Sequence, residues 1–160
     1  MNGNPEELVA AHRQMVLRTA YRLLGCLEDA QDATQEVFLR VLKHQSRLGP
    51  EPKAWLYRVT VNVCNDYHRR AKRTSSELTG ESADPGPDPE RILTLKERRK
   101  LLLEALGRLS PREKSCVVLR DIEGLSTAEV AQILDIEETT VRGQIHTARV
   151  KLARYVRRAR

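Results

Sequence analysis

The residues best suited to specific chemistry lie in one segment of the C-terminal half, residues 125–149. Its sequence is LSTAEVAQILDIEETTVRGQIHTAR, which predicts two short helices on either side of a tight turn at residues 135–137. On the second helix, Arg142 is able to donate two hydrogen bonds to guanine O6 and N7, and Gln144 is able to pair with adenine. These residue types indicate the recognition of base edges in the major groove of DNA.

The apolar residues of this segment predict how its two helices pack. Their spacing lets each helix bury one face against the other, at Val130, Ala131, Leu134, Ile136, Val141 and Ile145. That arrangement is a helix-turn-helix, whose second helix enters the major groove. The side chains that we expect to contact DNA are Thr139, Thr140, Arg142, Gly143, Gln144, His146, Thr147 and, toward the phosphates, Arg149. The alternative is a plain helical hairpin with a basic exposed face, which the capping motifs and the turn spacing make less favoured.

Helical periodicity continues through the rest of the chain, and the helices that it predicts must position this segment. Apolar residues at helical spacing predict three helices before residue 74 and four after residue 90. Ser110 and Ser126 are each followed three residues later by a glutamate, which predicts a capping box at the start of two of these helices. Gly25 and Gly124 are expected to interrupt the chain, and no strand pattern occurs.

A change in composition divides the chain into two halves. Residues 74–89 are rich in Ser, Gly, Pro and acidic side chains and lack apolar periodicity, which is typical of a flexible linker. The sequence therefore predicts an all-α fold with two small helical domains, at residues 1–73 and 90–160, joined by a flexible acidic linker. The helix-turn-helix belongs to the second domain.

Net charge and cysteine content indicate the kind of partner and the cellular compartment to expect. The 160 residues include 28 Lys and Arg against 22 Asp and Glu, and the net charge of +6 favours a polyanionic partner. Cys26, Cys64 and Cys116 are odd in number and far apart, so we expect free thiols in a reducing cytoplasm. Buried, small-hydrophobe roles are favoured for them over redox sensing. No apolar run approaches the roughly 20 residues that cross a bilayer, so no membrane insertion is expected.

An enzymatic function is not expected. The four histidines, His12, His44, His68 and His146, fall on separate helices, and none accompanies a nucleophile or a metal-ligand motif. No glycine-rich phosphate loop occurs, so we predict no catalytic residues, metal or cofactor. A conventional helix-turn-helix regulator that binds duplex DNA as a dimer is the second alternative, and it would need a dimerisation surface in the first half.

Motifs along nearly the whole chain carry a family resemblance. In the first half they are LG at 24–25, DAQDATQEVFLR at 29–40, AWLYRV at 54–59, Asn62 and RR at 69–70. In the second half they are LSPRE at 109–113, GLS at 124–126, EVA at 129–131 and TVR at 140–142. With this ordered set, the chain resembles the extracytoplasmic-function sigma factors of bacterial RNA polymerase. The resemblance implies a sigma factor that binds polymerase core and directs promoter-specific initiation.

The resemblance implies a role for the helix around residues 29–40. In the family this helix docks on the clamp helices of the largest polymerase subunit. The positions that match are Asp29, Asp32, Gln35 and Glu36. An acidic, exposed helix face suits that role, since charge complementarity sets orientation and association rate. Read without the resemblance, the same carboxylates would be helix-dipole residues on a solvated face.

The family opens the −10 element with the loop at residues 46–53 and the helix that follows, capturing a flipped base. The matching positions for this DNA are Arg58, Asn62, Arg69, Arg70, Lys72 and Arg73. Trp55 is expected either to stack near melted DNA or, as the favoured alternative, to belong to the core. The acidic linker would thread toward the active-site cleft, although a simple solvated tether explains its composition equally well.

The helix-turn-helix would read the −35 element next to the polymerase flap region. Here the sequence departs from the family, which often carries Ser-Arg in place of Gly143-Gln144 and Arg in place of Thr147. The chain presents fewer cations to that groove, so its −35 preference does not carry over from relatives. The resemblance further implies control by an anti-sigma factor that clamps both halves.

Overall fold

The computed structural model describes residues 4–74 and 93–158, and all regular elements in these ranges are helical. The predicted all-α fold is therefore confirmed. The predicted linker, apart from Thr74, lies outside the described residues. The α-helices are α1 (Pro5–Leu24), α2 (Leu27–Lys43), α3 (Pro52–Thr74), α4 (Leu95–Leu106), α5 (Pro111–Val117), α6 (Thr127–Leu134) and α7 (Glu138–Arg158). A 3-10 turn spans Gln45–Arg47 and a π-helical turn spans Val118–Ile122.

Helices α1, α2 and α3 form a bundle in the first half. Asn4 caps α1 by accepting a hydrogen bond from the Glu6 N–H at 3.2 Å. Gly25 ends the helix with φ of 73°, a left-handed conformation that glycine adopts without strain. The sides that face the bundle axis carry small and branched residues, which lets the helices approach closely. The buried side chains include Val16, Ala20, Leu23, Ala30, Ala33, Val37, Val41, Leu56 and Val63.

Three capping boxes start helices within residues 93–158 of the second half. The two predicted boxes are present, because Ser110 caps α5 with Glu113 and Ser126 caps α6 with Glu129. A third box, Thr94 with Glu97, starts α4 and was not expected from the sequence. Helices α6 and α7 pack as a helix-turn-helix around Val130, Ala131, Val141 and Ile145, which are buried as predicted. Leu134 and Ile136 are only half-buried, and Ile133 and Ala148 complete the buried contact.

Replacing Ser126 with alanine tests whether the cap sets the position of α6. The Ser126 hydroxyl accepts a hydrogen bond from the Glu129 N–H at 3.1 Å, and alanine removes this acceptor. We expect the free energy of unfolding to fall by about 1 kcal/mol in urea titrations. The variant Ser126→Asp keeps an acceptor at this position and should retain most of the stability. Equal losses in both variants would contradict a capping role.

Helix α5 ends in an irregular turn. The α-helix stops at Val117, and the chain continues as a π-helical turn in which the Glu123 N–H donates to the Val118 carbonyl at 2.9 Å. Gly124 follows with φ of 78° and ends the element, as expected. The extra residue in this turn changes the direction of Glu123, and such π turns are frequent at functional sites.

The two halves pack against each other. Helix α3 contacts α5 and α6, and α1 contacts α4, α5 and the π turn. The sequence predicted two domains and gave no signal for these contacts.

The cysteine prediction is right at two positions of three. Cys64 and Cys116 are buried, and burial raises the pKa of the Cys64 thiol to about 12 and that of Cys116 to about 11. Cys26 is exposed at the start of α2, so the expected buried role is wrong for this residue. Among the described helices, none is long and apolar enough to cross a membrane.

Candidate nucleic-acid interface

Helix α7 presents the residues that the sequence predicts for DNA recognition. Thr139, Arg142, His146 and Arg149 follow helical spacing along one exposed face, opposite the buried Val141, Ile145 and Ala148. Gly143 and Thr147 are also exposed, whereas Thr140 and Gln144 are half-buried at the margin. A Cβ at Gly143 would meet no atom within 4 Å, so the helix surface there is open to a partner. The structure thus brings the predicted base-contacting residues together on one helix.

Arg149 is paired with an acidic side chain at the end of this face. Its guanidinium donates two hydrogen bonds to the Asp121 carboxylate, from Nε at 3.0 Å and from Nη2 at 2.7 Å. The hydrogen bond and the charge of Asp121 raise the pKa of Arg149. A bidentate pair of this kind holds the side chain in one geometry. Arg149 is therefore oriented by the π turn of the same half.

The residues of α3 that are predicted to contact −10 DNA fall into two groups. Arg69, Arg70, Lys72 and Arg73 are exposed at the C-terminal end of the helix, and Asn62 is exposed nearer its middle. Arg58 is also exposed, but its Nε donates to the Ile133 carbonyl of α6 at 3.1 Å and its Nη2 donates to the Gln132 carbonyl. Of the predicted −10 residues, Arg58 is thus engaged by the other half of the chain.

Trp55 is half-buried and packs against the hydrophobic core. This placement favours the core role over stacking on melted DNA.

The predicted core-binding residues share the outer face of α2. Asp29, Asp32 and Gln35 are exposed, and Glu36 is half-buried. Glu36 accepts from Arg40 Nε at 3.2 Å, and Arg40 also reaches Asp66 of α3 at 3.2 Å. Burial and the charges of Asp32 and Asp29 raise the pKa of Tyr67 on α3. The face is acidic and open, and an ion-pair chain holds one edge of it against α3.

A carboxylate that the sequence did not single out lies between the two halves. The side chain of Glu123 is 2% exposed, and within the described ranges all its side-chain hydrogen-bond donors come from the first half. Arg18 donates to both oxygens, at 3.3 and 2.9 Å, and Arg22 donates to Oε1 at 3.0 Å. Thr19 and Tyr57 hydroxyls donate at 3.2 and 3.0 Å. We call Glu123 and these four residues the Glu123 cluster.

The hydrogen bonds of this cluster control the charge of Glu123. Burial by itself would raise its pKa, but the hydrogen bonds from Arg18 and Tyr57 and the charges of Arg18 and Arg22 outweigh burial. The pKa of Glu123 therefore lies below its ordinary value of 4.5. Burial and the adjacent carboxylate raise the pKa of Tyr57, so its hydroxyl stays a donor.

This lowered pKa predicts how acid affects stability. A carboxylate with a lower pKa in the folded protein stabilises it fully above the ordinary pKa, 4.5 here, and loses that contribution as pH falls through the lowered value. We expect Glu123→Gln to be less stable than the wild type at neutral pH, with the difference shrinking in acid. Urea unfolding over a pH series measures it, with the exposed Glu7→Gln as control. A difference that is the same at every pH would contradict the assignment.

A second buried contact joins the halves near the end of α1. Lys114 of α5 is buried, and its Nζ donates to the Leu23 carbonyl at 2.9 Å. Burial lowers the pKa of Lys114. Burial and the neighbouring Lys114 charge lower the pKa of His68, against the effect of its hydrogen bond to the Leu23 backbone. Two side chains from different halves thus satisfy a carbonyl at the C-terminus of α1.

No metal centre accompanies these sites within the described ranges. Across residues 4–74 and 93–158, no three His, Cys, Asp or Glu side chains are grouped so as to hold an ion.

Each half of the chain matches a known protein family. The family Sigma-70 region 2 matches residues 8–74, and the family Sigma-70, region 4 matches residues 99–152. The first match contains α1, α2 and α3, and the second contains the helix-turn-helix. The fold and these matches define a sigma factor of the sigma-70 class.

Two similar proteins show to which group of sigma factors the chain belongs. The ECF RNA polymerase sigma factor SigE of Mycolicibacterium smegmatis is 39% identical over 156 residues, which are 94% of this chain and 61% of SigE. The ECF RNA polymerase sigma factor SigM of Mycobacterium tuberculosis is 32% identical over 151 residues, covering 93% of this chain and 75% of SigM. The chain belongs to the ECF RNA polymerase sigma factors. Members of this family are regulators of transcription rather than enzymes.

Solved structures share the arrangement of helices. CnrH, in complex with the cytosolic domain of CnrY, aligns with a TM-score of 0.68 at 28% identity, over 96% of this chain and 90% of that chain. The sigma factor RpoE of Bartonella quintana, in complex with the anti-sigma factor NepR, aligns with a TM-score of 0.73 at 20% identity, over 97% and 98% of the two chains. The second likeness supports the fold alone.

Proposed function

We propose that this chain binds the core of bacterial RNA polymerase and directs initiation at promoters by reading their −10 and −35 elements. The observation that carries the proposal is the presence of two separate faces in one chain. An exposed acidic face on α2 is suited to a protein partner, and an exposed face on α7 is suited to the major groove. The order of the region 2 and region 4 matches agrees with this division of labour.

The core-binding face is proposed to be the outer side of α2, through Asp29, Asp32, Gln35 and Glu36. Leu39 and Leu42 on the same helix are 53% and 47% exposed, although large apolar side chains are usually covered. An exposed apolar pair beside carboxylates matches the anatomy of a protein interface, with an apolar centre and a polar rim. We assign the clamp helices of the largest polymerase subunit as the partner of this face.

The −10 DNA is assigned to α3. Asn62 and the exposed cations at its C-terminal end, Arg69, Arg70, Lys72 and Arg73, would hold the melted strand and its backbone. The Arg70 guanidinium lies 5.6 Å from the centroid of the Tyr67 ring, a cation–π distance that stiffens this end of the helix. Arg58 joins this set when it is released from α6.

The −35 DNA is assigned to α7, beside the polymerase flap region. Arg142 and His146 lie one turn apart on the exposed face, where they can enter the groove together. Arg149, held by Asp121, is positioned for a phosphate or for a base at the edge of the site. Residues 1–73 and 90–160 would then act as the −10 and −35 domains.

Control by an anti-sigma factor is part of the proposal. CnrH, whose sequence is 28% identical to this chain, was solved in complex with the cytosolic domain of another protein. A partner that covers α2 or α7 would block polymerase or promoter DNA.

Binding to polymerase core tests the proposal. We expect the purified chain to co-elute with bacterial core RNA polymerase in size-exclusion chromatography at moderate salt, and to bind duplex promoter DNA weakly without core. A chain that fails to bind core but binds duplex DNA tightly by itself would instead be a stand-alone helix-turn-helix regulator.

A further inference from the structure

The contacts between the two halves have a geometric consequence for promoter binding. Elements centred near −10 and −35 are separated by about 25 base pairs, or about 85 Å along B-form DNA. In this structure the two proposed DNA-reading units touch, because Arg58 of α3 donates to the carbonyls of Gln132 and Ile133 in α6. Helices in direct contact cannot occupy two sites that far apart, so the arrangement is closed with respect to the promoter.

We propose that the Glu123 cluster is an interdomain latch, which holds the chain closed and must release before both promoter elements are read. The closed state is a property of the free chain, whereas its consequence for initiation rests on the proposed function. The latch consists of five identified side chains, and each of them can be substituted by mutation.

The chemistry of Glu123 favours closure. A carboxylate has about four lone-pair sites, and here five hydrogen bonds from four residues converge on it. Two of the donor residues are arginines, so the carboxylate is both neutralised and fully hydrogen-bonded. Removing the negative charge would leave Arg18 and Arg22 facing each other next to the buried Tyr57 and Thr19. Closure therefore depends on this one carboxylate more than on any single donor.

Arg58 adds a contact to the closed state besides the Glu123 cluster and the hydrogen bond from Lys114 to the Leu23 carbonyl. It meets the C-terminal end of α6, where the Gln132 carbonyl also accepts from the Asp135 N–H and where the helix dipole is negative. A cation is favourable at that position, and a carboxylate is not. The same contact keeps Arg58 away from DNA, which links closure directly to a residue of the proposed −10 site.

The latch is suited to opening as well as closing. The contacts of the Glu123 cluster itself are hydrogen bonds and ion pairs, and water can satisfy the same groups after separation. Asp29, Asp32 and Gln35 on α2 remain exposed in the closed state. The proposed polymerase-binding face is therefore available before opening, and closure restricts promoter reading rather than core binding.

Small-angle X-ray scattering of the full chain, without polymerase or DNA, tests the latch. A compact chain of 160 residues has a radius of gyration of about 15 Å, and separating the halves should raise it above about 20 Å. We expect the compact value for the wild type and the larger value for Glu123→Arg, which places a third cation between Arg18 and Arg22. The exposed Glu7→Arg carries the same charge change and should stay compact.

Further variants separate opening from misfolding. Circular dichroism should show unchanged helix content in Glu123→Arg, and the triple variant with Arg18→Glu and Arg22→Glu should return to the compact value. If Glu123→Arg loses helix content, the double variant with Arg18→Glu and Arg22→Glu replaces it, because these two side chains donate to Glu123 and the carboxylates that replace them would repel it. A helical Glu123→Arg, or in its place a helical double variant, with the wild-type radius would overturn the proposal. So would an expanded wild type. Neither result would alter co-elution with core polymerase, which tests the proposed function separately.

Discussion

Replacing Asp32 with arginine should weaken binding to polymerase core by tenfold or more, about 1.4 kcal/mol, while leaving the fold intact. Asp32 is exposed on the outer face of α2, so the substitution disturbs no buried contact. It changes the local charge by two units at the centre of the proposed interface, and juxtaposed like charges oppose association. The dissociation constant for immobilised core polymerase, measured at moderate salt, gives the effect.

A matched variant separates a local interface from overall charge. Glu7→Arg makes the same change on α1, where the side chain is also exposed, and it should bind core as the wild type does. Circular dichroism and thermal melting should be unchanged in both variants. Normal core binding by Asp32→Arg would remove α2 as the docking helix, and equal losses in both variants would indicate a nonspecific charge effect.

Arg142→Ala should reduce discrimination among −35 sequences by about 1–3 kcal/mol, or roughly 5- to 150-fold in relative binding. Arg142 is exposed in the first half of α7, the part of a recognition helix that reaches base edges. A bidentate contact with guanine would be lost, and alanine offers no replacement. Holoenzyme binding to promoters that differ by single −35 base pairs measures the change.

Arg154 provides the contrast. It is exposed three turns further along α7, where a cation is placed for phosphates rather than for bases. Arg154→Ala should weaken binding to all −35 sequences to a similar degree and reduce the dependence of binding on salt. If Arg142→Ala behaves in this uniform way too, Arg142 contacts the backbone and base recognition belongs elsewhere on the helix.

The elements that pattern and capping determine could be predicted from the sequence. Ser110 and Ser126 with their partner glutamates mark helix starts, because hydroxyl and carboxylate satisfy backbone groups within four residues. The apolar spacing of Val130, Val141 and Ile145 likewise fixes which sides of α6 and α7 meet. These signals are local, so a single sequence is enough to read them.

The contacts between the halves could not be predicted in this way. Glu123 lies 105 residues from Arg18 in the chain, and a glutamate before a glycine carries no local signal of burial. Its direction depends on the π turn, and residue types alone do not indicate such a turn. The burial of Lys114 could not be predicted for a related reason. A lysine beside a capping box is ordinarily exposed, whereas Lys114 is buried against the end of α1.

The assignment of individual site residues stays a prediction for the same reason. Exposure and spacing show that Asp32 and Arg142 are available to partners, and the family matches place them in regions 2 and 4. Which base or which polymerase residue each one meets depends on the partner's surface. Gly143, Gln144 and Thr147 differ from the residues that are common in the family, so the −35 bases that this chain contacts cannot be taken from its relatives.

Transcription from defined start sites tests the central claim most directly. Core RNA polymerase from the source bacterium would be incubated with its genomic DNA and nucleotides, with and without the purified chain, and the 5′ ends of the transcripts would be sequenced. We predict that the chain produces a discrete set of new start sites with shared upstream sequence near −10 and −35, and that Asp32→Arg loses most of them. Transcripts that begin at the same positions with and without the chain would contradict its assignment as an initiation factor.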